Sequence, residues 1–235
     1  MQGIGLLFKA LWSPGEAMFL LSKTPRVLAP FLFLCLFSAV IGGAMMTKLD
    51  SGELAMRAIE QSPQGRNLSD EQKAQIRRSV NSPIVKGFTA VSIVVGPALV
   101  IVIVAAIYFA LFTMIGREGG FKAFLSITAY AFVPSIFRSL AAMLSAFFLP
   151  TSSIMPDELG SLSPSVFIDR TAVSPGVFTA VSSIDLVSIW ILILLVIGYG
   201  FVTRKSVSKV TRAGVVVGVF LVYVVLRVGL AALRG

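Results

Sequence analysis

Arg138, Asp185 and Arg227 are the ionisable side chains that lie well inside long apolar stretches of this 235-residue chain. A charge at such a depth is expensive and by default marks a function. At ~1.5 Å per helical residue, Arg138 falls ~17 Å from the Leu149 end of its segment and Asp185 ~10 Å from Phe178. An arginine stem spans much of that difference, so an Arg138–Asp185–Arg227 cluster is geometrically feasible. One acid with two bases leaves excess positive charge, which suits an ion site or an anionic headgroup. The structural alternative is that Asp185 stabilises a helix start while the arginines pair with it or snorkel.

Other chemistry is closed by what the chain lacks. It contains no histidine, which removes HExxH zinc sites, Ser-His and Cys-His nucleophile pairs and bis-His haem ligation. Cys35 is the lone cysteine, so internal disulfides and multi-cysteine metal sites are excluded, and its apolar surroundings suit a small core residue. No GxxxxGK[ST] or GxGxxG is present. An intramembrane aspartyl protease needs two aspartates, and only Asp185 is placed in a span. No catalytic residue, metal or cofactor is expected.

These charges must be positioned by membrane helices. Apolar residues make up 56% of the chain against 13% charged, and mean hydropathy is +0.91; soluble domains are roughly half apolar and about a quarter charged. A helical span needs about 20 apolar residues, and runs this long without alternation exclude barrel strands. Five spans are expected: 29–46, 88–115 with a kink or start at Gly96–Pro97, 123–149, 178–202 and 213–233. The apolar stretch that holds the first, 27–47, is too long for a signal peptide and has 26 residues before it, which favours a signal anchor. The expected fold is all-α, a polytopic bundle forming a single membrane domain over 1–235.

Orientation follows from Lys and Arg near the span ends. Segment 3–22 with its continuation, the 116–122 connection and the basic turn 203–212 carry nine positives: Lys9, Lys23, Arg26, Arg117, Lys122, Arg204, Lys205, Lys209 and Arg212. The loop 150–177 carries Arg170 against Asp157, Glu158 and Asp169. The N-terminus is therefore expected in the cytoplasm and the C-terminus outside. The net charge of +9 is then mostly topological, and no nucleic-acid partner is implied.

Outside the spans, 3–22 resembles an interfacial element, with Ile4, Leu6, Leu7, Phe8, Leu11 and Trp12 beside Lys9. Ser13 and Glu16 have capping-box spacing around Pro14, predicting a helix over 14–22. The loop 48–86, with seven positives and five acids, predicts a helical hairpin, one arm capped by Ser51 and the other opened by Ser69 and Gln72. Gly214 and Gly218, Ala141 and Ser145, and Ala142 and Ala146 have spacings that allow close helix approach.

Several segments together resemble a known family. Leu11-Trp-Ser-Pro-Gly-Glu-Ala-Met-Phe19, followed by Thr24-Pro25 and an apolar run opening at Ala29-Pro30, resembles the bacterial branch of the Yip-one domain family, named for Ypt/Rab-interacting membrane proteins. Phe121-Lys-Ala-Phe-Leu-Ser-Ile-Thr-Ala-Tyr130-Ala-Phe-Val-Pro134 is similar to its third-helix pattern. Ile184-Asp185-Leu186-Val-Ser-Ile-Trp190, with Gly198 and a basic turn, is similar to its fourth. The resemblance runs from about Leu7 to Leu230. It implies a five-helix protein with a cytosolic N-terminus, here in a bacterial cytoplasmic (inner) membrane. Eukaryotic members are linked to Rab GTPases and vesicle traffic, and their long N-terminal region is not expected here. Tyr130, Pro134, Asp185 and Trp190 match the pattern without a catalytic role. The expected function is non-enzymatic membrane organisation or an adaptor role, with the lipid bilayer and other membrane proteins or a second copy as partners. The alternative is a small transporter, channel or lipid-handling subunit that uses Arg138, Asp185 and Arg227.

Overall fold

A computed structural model describes residues 3–61, 65, 67–116, 118–148, 160–169, 172–203 and 207–234. Eleven α-helices are followed here: α1 (Ile4–Trp12), α2 (Pro14–Lys23), α3 (Leu28–Lys48), α4 (Ser51–Gln61), α5 (Asp70–Val80), α6 (Pro83–Ile115), α7 (Phe121–Ala131), α8 (Ser135–Phe148), α9 (Pro175–Ser183), α10 (Leu186–Tyr199) and α11 (Lys209–Arg234). No strand element occurs among the described residues. The protein is an all-α, polytopic membrane bundle. Helices α3, α6 and α11 and the α7–α8 pair are long and apolar enough to cross a bilayer, and α9 with α10 makes a fifth span if the bent pair is one crossing.

Two apolar segments expected to be single helices are each built from two. Between α7 and α8, residues 132–134 form a turn. Pro134 has no N–H and its ring disfavours the helical course of the preceding residues. The chain tightens there, with Phe132 carbonyl accepting from Ser135 N–H at 2.9 Å and Val133 carbonyl from Ile136 N–H at 3.2 Å. Between α9 and α10 the break falls at Ile184–Asp185, and the axes bend by 52°. Helix α9 begins at Pro175, inside the segment expected to be loop, because Ser174 accepts from the Val177 N–H at 3.4 Å and Pro175 supplies the first turn.

By contrast, Gly96–Pro97 interrupts nothing: α6 runs 33 residues with Pro97 inside it. Proline at 97 denies the Ile93 carbonyl its usual helical donor. Ser38 of α3 supplies the replacement, donating its hydroxyl to Ile93 O at 2.6 Å. The helices meet so closely here that a Cβ on Gly42 would overlap Ile93 Cγ2.

The chain divides into two compact units. The first comprises Met1–Phe37, Val95–Ile136 and Val187–Val222. Its core is aromatic: Phe112, Phe124 and Tyr199 are fully buried with centroids 5.0–5.9 Å apart. Two hydroxyls in it are satisfied, Tyr199 with Thr128 Oγ1 at 2.7 Å and Tyr108 with Val216 O at 3.0 Å. Helix α2 buries Ala17, Met18 and Leu21 within this unit and lies against α7. Gly198 admits that packing, since a Cβ there would overlap Ile127 Cγ2 and approach Met18 Sδ to 3.2 Å.

The second unit comprises Ser38–Val94, Phe137–Leu186 and Tyr223–Gly235. It holds the α4–α5 hairpin, a core cluster of Leu49 and Ala146 with Met45 and Leu54 packed on it, and an open pocket of about 340 Å³ near Ser38, Gly42 and Ile93. Gly160 has φ +69°, and a Cβ there would also meet Ala142 Cβ at 2.8 Å, which places residue 160 directly against α8. Ala142 and Ala146 are thus close-packing positions. Gly214 and Gly218 are not: a Cβ at either would meet nothing within 4 Å, so among the described residues no helix uses that face for close approach.

Helix caps also differ from the spacing rule in two places. Ser69 and Gln72 form the complete capping box of α5. Ser13 has the same spacing to Glu16, yet its side chain caps nothing: it also ends α1, with its backbone at φ −135° and ψ 65°, and the Glu16 carboxylate is paired with Lys9 of α1. In the hairpin's first arm, Ser51 is already helical and Asp50 is the cap, its Oδ1 accepting from Glu53 N–H at 2.9 Å. That bond, opposed by desolvation and helped by Gly52 N–H, Asn81 and Lys86, holds the Asp50 carboxyl below its ordinary 3.8. A lowered folded-state value means the stabilisation is complete above the unfolded pKa and is lost as pH falls through the folded one. Asp50→Ala is expected to cost about 1 kcal/mol at neutral pH. Amide exchange across Ser51–Gln61 should lose protection from about pH 4 downward in the wild type, but show no such pH step in the variant.

Candidate functional site

Arg138 and Asp185 meet. Asp185 immediately precedes Leu186, the first residue of α10, where aspartate is a favoured helix cap. It is 6% exposed. Arg138, in the first turn of α8, donates to it in a forked arrangement: Nε to Oδ2 at 3.0 Å, Nη2 to Oδ1 at 2.9 Å and Nη2 to Oδ2 at 2.6 Å. Planar two-point pairing of this kind is the strongest form of an arginine–carboxylate contact. The arginine side chain itself is 40% exposed, so the pair combines a sequestered acid with a base that reaches outward.

Arg227 does not complete the expected triad. From α11 it donates Nη1 to Ser183 Oγ at 3.1 Å and lies over the Tyr223 ring at 5.8 Å. Ser183 is the last residue of α9 and in turn donates to Thr179 O at 2.6 Å. The two arginines therefore serve opposite sides of one break, Arg138 at the start of α10 and Arg227 at the end of α9. Neither the pocket near Ser38 nor the groove described below is lined by these charges. Among the described residues no group of three or more His, Cys, Asp and Glu is placed to hold a metal ion. Asp157, Glu158 and Arg170, which belong to the outer-loop charge count, lie outside the described residues.

The remaining pattern residues act in the first unit or at a break. Tyr130 is fully buried near the end of α7 and donates its hydroxyl to Gly3 O at 3.1 Å, where α1 begins. Pro134 is buried in the α7–α8 turn, and Trp190 is half-buried on α10. Sequence reasoning did not find the second tether of the N-terminal segment. Ser126 Oγ accepts from Arg26 N–H and donates to Arg26 O, both at 3.0 Å. A serine in an apolar helix stretch, about one turn from the basic Arg117–Lys122 connection, was the available signal. The Thr128–Tyr199 bond was equally unforeseen.

A groove of about 1120 Å³ opens in the same unit between the start of α1 and α3. Its walls include Ile4, Phe8, Leu28, Leu32 and Leu36, and two bases, Arg26 and Lys122, line it as well.

Compared with known proteins, residues 8–229 match the family model described as the Yip1 domain. No curated protein and no solved structure matches the chain.

Proposed function

Because this chain belongs to the Yip1 domain family, we propose that it is a non-enzymatic membrane-organising or adaptor protein of the bacterial cytoplasmic membrane, with its N-terminus in the cytoplasm. One observation carries the reading. Helices α1 and α2 are held to the membrane domain through α7, by Tyr130 on Gly3, Ser126 on Arg26 and the buried face of α2, while Ile4, Phe8 and Trp12 remain exposed. Trp12 is 85% exposed. An apolar row beside a lysine, fixed at the base of a span, suits insertion into the headgroup layer of one leaflet. The rigid mount then transmits that insertion to the bundle, and the same face offers a docking strip to another membrane protein or a second copy.

The transport reading receives no such support. A transported cation would use Asp185 and a transported anion Arg138, but the two are taken up by direct two-point pairing with each other, which suits reinforcement of a broken span.

Reconstitution tests the proposal. Wild-type protein in vesicles of mixed phosphatidylethanolamine and phosphatidylglycerol is expected to reduce vesicle radius as protein density rises. Phe8→Glu with Trp12→Glu should abolish most of that effect while leaving the bundle folded. Vesicles whose size is indifferent to the wild-type protein, with no membrane-protein partner captured by cross-linking at Trp12, would count decisively against it.

A further inference from the structure

The groove between α1 and α3 has a chemistry that the organising role does not require. Its walls are almost wholly apolar, yet Arg26 and Lys122 both line it. Arg26 lies two residues before α3 and Lys122 is the second residue of α7, so both stand where helices enter the bilayer. They are also neighbours. The Arg26 backbone is bonded to Ser126, and Ser126 is four residues after Lys122, on the same helix face. From this charged end, Leu28, Leu32 and Leu36 continue down α3 as an exposed stripe. The stripe spans ~12 Å of depth at 1.5 Å per residue.

We propose that the groove binds an anionic phospholipid, with its phosphate engaged by Arg26 and Lys122 and an acyl chain laid along Leu28, Leu32 and Leu36. Charge complementarity selects this occupant over a zwitterionic lipid, because two bases and no acid line the site. The apolar length selects it over a free phosphate, which would leave the leucine stripe without a partner. Gly5 is part of the wall, and a Cβ there would meet nothing within 4 Å, so the chain leaves this space open. The groove shares Ile4 and Phe8 with the membrane-organising face, but the inference rests on the two bases and the leucine stripe, which that role does not use.

The full-length protein, purified in dodecyl maltoside and incubated with dioleoyl phosphatidylglycerol or dioleoyl phosphatidylcholine, provides the test by native mass spectrometry. The phosphatidylglycerol adduct is expected to be retained preferentially. Arg26→Gln with Lys122→Gln should weaken it about thirtyfold, in line with the usual contribution of two bases near anionic lipid. Arg26→Lys should retain it. Gly5→Leu should also lose the adduct, by filling the groove, and helical propensity at that position improves with the change. Tyr130 and Ser126 keep their backbone partners in every variant. Equal retention of the two lipids, an unchanged adduct in the double variant or in Gly5→Leu, or displacement by glycerol 3-phosphate alone would each overturn the proposal.

Discussion

Asp185→Asn is expected to destabilise the protein by about 3 kcal/mol, the lower part of the range for breaking one side of a buried ion pair. The forked bonds from Arg138 would lose their charged acceptor. The guanidinium would then be left in the span without its counter-charge, and partial snorkelling through its exposed side would recover some of the loss. Arg138→Met should cost a similar amount, because the acid is the more sequestered partner. The diagnostic variant is the double one. Arg138→Met with Asp185→Leu removes both charges together and is expected to lie within about 1 kcal/mol of wild type, since well-packed apolar replacements of buried pairs are often neutral. Unfolding in mixed micelles of increasing dodecyl sulfate fraction measures all three. A double variant as unstable as the sum of the singles would show that the pair is not the unit that matters.

Ser38→Ala is expected to cost about 1–2 kcal/mol, a large effect for removing one oxygen. Pro97 deprives the Ile93 carbonyl of its helical donor, and Ser38 is the hydroxyl that replaces it at 2.6 Å. In a bilayer no water is available to take over. The coupling makes a sharper prediction than the single variant. In a Pro97→Ala background the backbone N–H of residue 97 can bond Ile93 O directly, so Ser38→Ala should cost less there, by roughly 1 kcal/mol. The same micelle titration measures this cycle. Strict additivity of the two substitutions would rule out the compensation.

Sequence periodicity and charge spacing revealed the spans because Lys, Arg, Asp and Glu are excluded from lipid-facing helix and so bracket it. The all-α membrane architecture followed from that exclusion alone. The breaks were less legible. Asp185 suggests a helix start, yet the apolar run reads as one unbroken span over 178–202; the start falls at Leu186, directly after the aspartate and inside that span. Arg227 was placed by depth along its helix. Depth says nothing of the direction in which a side chain points, and that direction takes it to Ser183 instead of Asp185. Ser13 and Ser69 precede the same motif with opposite outcomes, because Ser13 must also end α1, whose Lys9 takes the glutamate, whereas Ser69 has the extended backbone of a free cap. Local patterns predict caps only when no neighbouring helix bids for the same group. The proline at 97 shows the reverse case, in which a residue that normally bends a helix is accommodated by a hydroxyl 59 residues earlier in the chain.

The tethers on α7 also set a schedule for biogenesis. Arg26 and Ser126 are 100 residues apart, and Gly3 and Tyr130 are 127 apart. A ribosome adding roughly 5–20 residues per second presents the N-terminal helices several seconds before their anchoring surface exists. Throughout that interval Met18 and Leu21, fully buried at the end, have only the lipid interface or a chaperone to cover them. The N-terminal pair is thus an early product that waits on the membrane, and it can dock only after α7 has left the translocon.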